Sequence, residues 1–478
     1  MRVFWLLFLL VITLPFLNLK GLHIEDITTG TPPKGVSLEY QPSRLILEPI
    51  SGPAEQLCSL KDNKSNHWTT IISWFFWLGT IAIFTAIGKR KKLKNMLYMV
   101  LIMWLGFITF IALIIILPLP MVRMKAPADW LRVDFHSHTW ESWDGSASPY
   151  TNLRFHKQSG YDCFFVTEHN NTDSYPEFSP LDQLHTVFPG AEISSTDNIR
   201  YLLLSDRKFS IEEFENKTLR DAVVAAHKKG YLVIMPHYPE RGNWEYLASL
   251  DVDGFEIYDS GDHGITSAEQ AELIRFCKGR NLLMTSATDY HGWGAYADGW
   301  TLIRKPEVVV PTSRMLLDLM QNRTESRVIV MKQPVSLFGN GTIFEPLSVT
   351  IRYFGSMGHV RSFVWAGWML ILIFLITIFG QRKVLNWIAI LSVCCFLVYT
   401  AYMVYVRLII HPNSEILIRK NILVASSLAF IWYIVLRTTR TQIDICYPVV
   451  NYNYQDDRKT LYEMALEIKT AFMGYLNL

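Results

Sequence analysis

Five long apolar runs without a charged residue restrict the fold of this 478-residue chain more than any other feature of its sequence. Residues 68–87 and 96–120 precede the middle third, and residues 363–379, 385–406 and 422–436 follow it. At about 1.5 Å per residue, a helix of roughly 20 residues matches the hydrocarbon thickness of a bilayer. Only 18% of the residues are charged, below the share of about 25% that is usual in soluble domains. The sequence therefore predicts a multi-pass protein of the cell membrane, in contact with membrane lipid.

Basic clusters beside these runs predict the orientation of the chain. KRKKLKN separates the first two runs, Arg382 and Lys383 separate the third from the fourth, and Arg437 follows the fifth. Cytoplasmic loops are enriched in lysine and arginine, so we place these clusters in the cytoplasm and residues 121–362 outside it. The loop at 407–420 departs from this rule, because it carries three basic residues on the outer side.

The same runs set the domain boundaries. The short apolar run at residues 3–17 fits a signal peptide or a signal anchor equally well. The predicted segments are a signal peptide or signal anchor at 1–20, an extracytoplasmic loop at 21–67, a transmembrane hairpin at 68–120, a central domain at 125–330, a β-rich extension at 331–360, three transmembrane helices at 363–437 and a cytoplasmic tail at 438–478.

The domain at 125–330 alternates short β-rich runs with helical stretches. Each of the runs VDFHSH, DCFFVTEH, YLVIMPH, VDGFEIYD and NLLMTSATD is typical of a buried strand that ends in polar residues. Alternating β and α units predict an α/β fold with a parallel sheet or barrel. Functional residues of such barrels lie at the carboxyl ends of the strands, so the polar residues at these ends are candidates for a site.

Histidines and carboxylates collect at these strand ends. His136 and His138 are two residues apart in an extended strand, which places both imidazoles on one face. Imidazole and carboxylate ligands together suit zinc, manganese or iron. Eight such ligands exceed the needs of one ion, so we expect two or three divalent metal ions within about 4 Å of one another. The predicted metal ligands are His136, His138, Asp144, His169, Glu192, His237, Asp289 and His291.

The order of DFHSHTWESWDGSASP, TEHN, GAEIS, PH and TDYH resembles the PHP domain, a family named for its polymerase and histidinol-phosphatase members. The resemblance covers residues 128–310. It implies a distorted (β/α)7 barrel, here inserted between α-helical transmembrane segments, that hydrolyses phosphate esters with water activated by a two- or three-metal centre. It also implies a division of the ligands: one ion takes His136, His138, Glu192 and Asp289, a second shares Glu192 and takes His237, and a third takes Asp144, His169 and His291.

One position departs from the family pattern. PHP domains usually carry a further histidine soon after the glutamate, whereas this chain has Arg200 and Tyr201 near the expected place. The second ion therefore has fewer ligands. Either the centre binds it weakly, another group completes its ligands, or the centre works with fewer ions. Arg200 itself either neutralises charge, binds substrate phosphate or is a solvated arginine at a strand edge.

The predicted function is hydrolysis of a phosphate ester on the extracytoplasmic side, with Asp144, His237 and Arg241 as catalytic residues. Arg241 follows His237 by four residues, and its guanidinium would stabilise negative charge on the phosphate. Anchoring on both sides favours a substrate at the membrane surface, such as a lipid-linked phosphate ester. The net charge of +2 gives no indication of nucleic-acid binding. The alternative function is a non-catalytic metal-binding receptor or scaffold with a degenerate PHP-like domain.

Overall fold

The structure of the protein is a computed structural model. Arg241, the apolar run at 422–436 and the tail at 438–478 lie outside the described residues, and so does almost all of the run at 385–406. What the sequence predicts for these segments stays a prediction. The described residues are 2–58, 67–88, 92–116, 122–182, 186–237, 243–260, 265–292, 297–305, 312–323, 325–332 and 342–379, with the single residues 387, 391, 398 and 401.

Twelve short strands lie at the centre of the part of the chain that the structure describes. They are β1 (His23–Asp26), β2 (Ser37–Glu39), β3 (Arg123–Lys125), β4 (Trp130–Asp134), β5 (Cys163–Val166), β6 (Val187–Ser194), β7 (Arg200–Leu204), β8 (Leu232–Met235), β9 (Gly254–Asp259), β10 (Leu283–Ala287), β11 (Gly299–Arg304) and β12 (Ser326–Lys332). Within the described residues, ten of them form one sheet in the order β1-β12-β11-β4-β5-β6-β7-β8-β9-β10, and β2 pairs with β3.

The sheet is mixed, which differs from the parallel arrangement expected of a (β/α)7 barrel. Strands β4, β5 and β6 are parallel to one another, as are β8, β9 and β10, but β7 is antiparallel to both of its neighbours. The connection from β6 to β7 is a short turn in which Asn198 has a φ of 59°. A turn of this length reverses the chain into a hairpin and leaves no room for a crossover helix. Strand β11 likewise runs antiparallel to β4.

The sheet curls towards a barrel. The amide of Ser286 in β10 donates to Oγ1 of Thr301 in β11 at 2.8 Å, so the last strand of the sheet meets one near its other end. Apolar side chains from several strands pack into one buried cluster that includes Val133, Leu202 and Ile234. This mixed α/β arrangement with a curled sheet fits a TIM-like fold.

Some of the helices pack against the sheet, and others pack against one another. The helix Leu219–Lys228 buries four residues at the three- and four-residue spacing of one helical face, Leu219, Ala222, Val223 and Ala226. The helices are α1 (Arg2–Thr13), α2 (Pro42–Ile46), α3 (Glu48–Cys58), α4 (His67–Gly88), α5 (Leu93–Ile116), α6 (Pro149–Ser159), α7 (Tyr175–Phe178), α8 (Leu219–Lys228), α9 (Trp244–Ser249), α10 (Ser267–Gly279), α11 (Ser313–Gln321), α12 (Glu345–Ser356) and α13 (Gly358–Phe379).

The segment 21–67, expected to be an extracytoplasmic loop, is folded where it is described. Strand β1 pairs with β12, and the buried guanidinium of Arg44 binds the buried carboxylates of Glu48 and Glu55. Glu48 also accepts from Arg361 of α13 at 2.7 Å. Buried charges are tolerated when they are paired, so this network ties α3 to α13. Sequence reasoning did not predict this network, because the partners of these short elements are distant along the chain.

The segment 331–360, expected to be rich in β structure, differs from that expectation. Strand β12 ends at Lys332, and α12 then covers Glu345–Ser356. Pro346 lies in the first turn of α12. A proline is tolerated there because an amide hydrogen at that position would have no acceptor within the helix. The β-branched Val349, which favours strands, is buried on one face of this helix, so packing outweighs its local preference.

Among the described residues, one helix is long and apolar enough to cross a membrane. It is α13, whose most apolar stretch has a mean hydropathy of 2.3 and is 28% buried inside the protein. The amino-terminal helix α1 lies against it, where Ser362 Oγ donates to the carbonyl oxygen of Val11 at 2.8 Å.

The segment expected to form a transmembrane hairpin contains two packed helices, α4 and α5. The indole Nε1 of Trp104 donates to the carbonyl oxygen of Phe75 at 2.8 Å and links the two helices. Their apolar stretches, Ile72–Gly88 and Asn95–Ile111, are shorter than the stretch in α13. Membrane crossing by more than one helix and the outward placement of the domain are therefore not supported by the described helices and remain proposals.

Candidate metal centre

The eight predicted ligands meet at one rim of the sheet. Strands β4, β5, β6, β8, β9 and β10 point in one direction, so their carboxyl ends share that rim. The amide of Asp289 donates to the carbonyl of His136 at 3.0 Å, and that of His138 to the carbonyl of Tyr290 at 2.9 Å. The isolated bridge between His169 and Glu192 aligns the next two segments. Ligands distant in sequence are thus held side by side.

His136, His138 and Asp289 form the first group of potential ligands. The Nε2 atoms of the two histidines are 2.9 Å apart. Oδ1 of Asp289 lies 3.4 Å from Nε2 of His136 and 3.2 Å from Nε2 of His138. Asp289 has a φ of 46°, in the left-handed region that is uncommon outside glycine. Backbone conformations of this kind cluster at functional sites.

Glu192 lies between the groups of histidines. Its Oε2 is 2.8 Å from Nδ1 of His169, 3.4 Å from Nε2 of His136 and 3.6 Å from Nε2 of His138. Its Oε1 is 3.1 Å from Nε2 of His237. The side chain is buried, and its two oxygens face different sets of imidazoles. A carboxylate in this position can bridge two ions.

Asp144, His169 and His291 form the group nearest to solvent. Oδ1 of Asp144 is 3.2 Å from Nε2 of each histidine, and its side chain is 26% exposed. A tight turn brings Asp144 to this position: a Cβ atom on Gly145 would lie 1.8 Å from the carbonyl oxygen of Thr139. The turn therefore requires glycine after the aspartate.

Two carboxylates of β9 determine which ring nitrogens carry protons. Nδ1 of His136 is 3.1 Å from Oε1 of Glu256, and Nδ1 of His237 is 3.0 Å from Oδ2 of Asp259. Because an ionised carboxylate only accepts hydrogen bonds, each Nδ1 carries a proton, and each Nε2 is the ring nitrogen that faces the cluster, where it can hold a second proton or bind a cation. Metal-binding histidines are commonly oriented in this way by a carboxylate behind the ring.

A serine has the same effect on His138. Its Nδ1 is 2.9 Å from Oγ of Ser142, and that hydroxyl donates to Oε2 of Glu168 at 2.5 Å. Because the hydroxyl has one hydrogen, it accepts from Nδ1, and Nε2 of the neutral His138 keeps its lone pair. The three histidines therefore present ligand nitrogens to the cluster.

The cluster shifts the pKa values of its members. Burial alone would raise the pKa of Glu192, but hydrogen bonds from His136, His169 and His237 outweigh it and lower the pKa well below its usual range. Burial, followed by the neighbouring charge of His291, lowers the pKa of His138 to about 3. Strongly perturbed pKa values of this kind are typical of functional sites.

Two histidines are shifted upwards. Burial alone would lower the pKa of His237, but hydrogen bonds to Asp259 and Glu192 raise it to about 10. Burial alone would also lower the pKa of His291, but the charge of Asp289 and a hydrogen bond to Asp144 raise it to about 9. The surroundings of both imidazoles therefore stabilise a positive charge, which a proton or a metal ion can supply.

Several buried ligand atoms of the cluster are placed to bind cations and form no well-formed hydrogen bond with one another. Among the described residues, Nε2 of His169, Oε2 of Glu192, Oδ1 of Asp289 and Nε2 of His291 are buried without a well-formed hydrogen bond. Each nevertheless lies within 3.6 Å of another cluster atom. In sets of three residues, the ligand atoms lie within 4.8 Å of one another. Imidazole nitrogens and carboxylate oxygens at these separations fit divalent cations.

Sequence reasoning missed the supporting residues. Glu256 and Asp259 lie fully buried in β9, and Glu168 accepts from the hydroxyls of Thr139, Ser142 and Ser174. A glutamate in the middle of the apolar strand GFEIYD was the signal that could have identified Glu256. The predicted catalytic residues Asp144 and His237 lie in the cluster, and the third, Arg241, lies outside the described residues.

No family model matches the chain, and no curated protein matches it. Solved structures match part of it. A two-domain protein from Bacteroides vulgatus, described as containing a PHP-like metal-dependent phosphoesterase, is 18% identical, with a TM-score of 0.31. The match covers 41% of this chain and 64% of that protein, so this chain spans less than two thirds of its length.

Two further solved structures are similar over a comparable part of the chain. A metal-dependent phosphoesterase from Bifidobacterium adolescentis is 17% identical, covers 40% of this chain and 96% of its own, and has a TM-score of 0.28. An amidohydrolase from Chromobacterium violaceum, solved with sulfate and without metal, is 13% identical, covers 40% and 97%, and has a TM-score of 0.29. Because the identities and TM-scores are this low, the chemistry of the cluster is argued from its own side chains and not from these matches.

Proposed function

We propose that the chain is a membrane-anchored hydrolase of phosphate esters that works with two or three divalent metal ions, either zinc, manganese or iron. The observation that carries this proposal is the buried Glu192 carboxylate, whose two oxygens face different sets of imidazoles in a rim of eight ligands. Centres with more than one ion are suited to displacement at phosphorus, because they stabilise the entering and the leaving oxygen together.

The residues of the rim have distinct roles in this reaction. Divalent cations held there would lower the pKa of water and offset the negative charge that develops on the phosphate. Asp144, partly exposed at the open side, is proposed to hold the attacking water in place through its carboxylate. Burial alone would raise the pKa of this carboxyl, but hydrogen bonds from His169 and His291 lower it below its ordinary value. His237, held through its Nδ1 by Asp259, orients Glu192 from the opposite side. Arg241 is proposed to stabilise negative charge on the substrate.

The membrane anchor is supported by apolar side chains that face outwards. Phe84 of α4, and Phe363 and Phe374 of α13, are 62–72% exposed. Large exposed apolar surfaces mark contacts with membranes or with other proteins. The basic residues at 89–95 support placing the catalytic domain outside the cytoplasm. A phosphate ester at the membrane surface, including a lipid-linked one, is the substrate class we propose.

The experiment uses the full chain in detergent, stripped of metal with a chelator and reloaded with manganese, zinc or iron. We expect hydrolysis of an aryl phosphate or a bis-aryl phosphate after reloading, and none from Asp289→Asn. His227→Ala, which changes a histidine outside the cluster, is the matched control and keeps its activity. Bound metal without turnover of any phosphoester, soluble or lipid-linked, would instead favour the metal-binding receptor or scaffold.

A further inference from the structure

The two oxygens of Glu192 have different neighbours among the described residues. Oε2 lies within 3.6 Å of three imidazole nitrogens. Oε1 is approached by Nε2 of His237 at 3.1 Å and by the guanidinium Nη1 of Arg200 at 3.4 Å. Arginine does not lose its proton in proteins. Arg200 is therefore a fixed positive charge on the Oε1 side of the carboxylate.

An ion on that side would have few protein ligands. One imidazole nitrogen binds one ion, and Nε2 of His136, at 2.9 Å from Nε2 of His138, belongs to the first group. Among the described residues, the two ligand atoms that then remain beside Arg200 are Oε1 of Glu192 and Nε2 of His237. Catalytic zinc sites usually have three protein ligands, so two are too few for a tightly held ion. The guanidinium supplies positive charge without needing ligands.

The strand register holds Arg200 in this position. Leu202 of β7 pairs with Glu192 of β6, and residues two apart in a strand share a face. Arg200 therefore lies on the same face as Glu192, as its diagonal neighbour across the hairpin. The Arg200 side chain is also 52% exposed, so its other donors can reach a ligand that enters from solvent.

We infer that Arg200 takes the place of the ion expected beside His237: the centre holds two resident divalent ions, and the guanidinium neutralises Oε1 of Glu192 and binds a phosphate oxygen of the substrate. This inference rests on the proposed function and deepens it. Guanidinium groups suit phosphate because they present several donors in a rigid plane.

The test counts metal ions and measures phosphate binding, both without turnover. Full-length wild type, Arg200→His, Arg200→Gln and Arg200→Lys are stripped, reloaded with manganese or zinc, desalted and analysed by elemental mass spectrometry. Inorganic phosphate binding is then followed by calorimetry. Arg207→His is the matched control, because Arg207 is an exposed arginine that contacts Tyr231 and Asp206 instead of the cluster.

We expect two ions per chain in the wild type, in Arg200→Gln and in Arg207→His, and three in Arg200→His, since an imidazole supplies the missing ligand. Arg200→Gln should weaken phosphate binding by about tenfold or more, as expected for loss of one charge-assisted hydrogen bond, and Arg200→Lys by less. Three ions in the wild type, or unchanged phosphate affinity in Arg200→Gln, would overturn the inference. A chain that binds two ions and phosphate as expected but hydrolyses nothing would contradict the proposed function alone.

Discussion

The Nε2 atoms of His136 and His138 lie 2.9 Å apart, while their Nδ1 atoms face Glu256 and Ser142. With both Nδ1 atoms protonated, the two Nε2 atoms can lie this close only if a proton or a metal ion supplies positive charge between or beside them. Oδ1 of Asp289 lies within 3.4 Å of both nitrogens. This relationship defines the position at which we expect the most tightly bound ion.

Removing a ligand from this position should remove both metal and activity. We expect His136→Ala and Asp289→Ala each to lower phosphoesterase activity by more than about a hundredfold. Changing a residue that only supports a ligand usually costs about 10–100-fold, and loss of the ligand itself should cost more. Elemental analysis should show at least one ion fewer per chain. Alkaline extraction of membranes should show normal insertion, because both residues lie in the domain between the apolar runs. A variant that keeps its full metal content would contradict the assignment of that residue.

The residue behind the ligand should have a smaller effect. Glu256 accepts from Nδ1 of His136 at 3.1 Å and from the backbone amide of His237 at 3.1 Å. We expect Glu256→Gln to weaken metal affinity by about 10–100-fold, because the imidazole loses its fixed orientation. Metal titration with a competing chelator measures this. Glu245→Gln, at an exposed glutamate paired with Arg280, is the control, and equal affinities in the two variants would rule out a positioning role for Glu256.

Most of the ligands could be predicted from sequence because they follow apolar strands, and strand ends converge in an α/β barrel. Glu192, by contrast, lies inside β6. Glu256 and Asp259 were missed because hydrogen bonding to a ring nitrogen depends on which strands are neighbours, and β9 lies between β8 and β10 only in the folded sheet. The hairpin that places Arg200 beside Glu192 was missed for a related reason. The apolar run RYLLL indicates a strand, but its direction follows from the turn at Asn198.

His227 should make stability depend on pH. A hydrogen bond to Asp253, at 3.0 Å from Nε2, raises the pKa of His227 above its ordinary value of 6.5, although burial opposes the shift. Because the folded state holds the proton more tightly, this stabilisation is fully present below about pH 6.5 and is lost as the pH rises through the folded-state pKa. We expect His227→Gln to lower the thermal midpoint in detergent more at pH 5.5 than at pH 9.

The neighbouring Lys228, which is exposed at the end of the same helix, provides the control for that measurement. Lys228→Gln removes a positive charge without removing the hydrogen bond to Asp253. Its effect on the thermal midpoint should be small at both pH values. An equal loss for His227→Gln at pH 5.5 and at pH 9 would show that the pair with Asp253 contributes no pH-dependent stability.

The basic cluster at 89–95 should place the turn between α4 and α5 in the cytoplasm. A reporter enzyme that is active only outside the cytoplasm should be silent when fused after Lys92 and active when fused after Met315. Replacing Lys91, Lys92 and Lys94 with glutamine should weaken this asymmetry, because retention of lysine and arginine on the cytoplasmic side sets the orientation. Replacing Lys157, Lys228 and Lys229, which lie in the catalytic domain, is the matched control and should leave it unchanged. The reverse pattern of reporter activity would place the metal centre in the cytoplasm. The substrates that reach Glu192 would then be cytoplasmic.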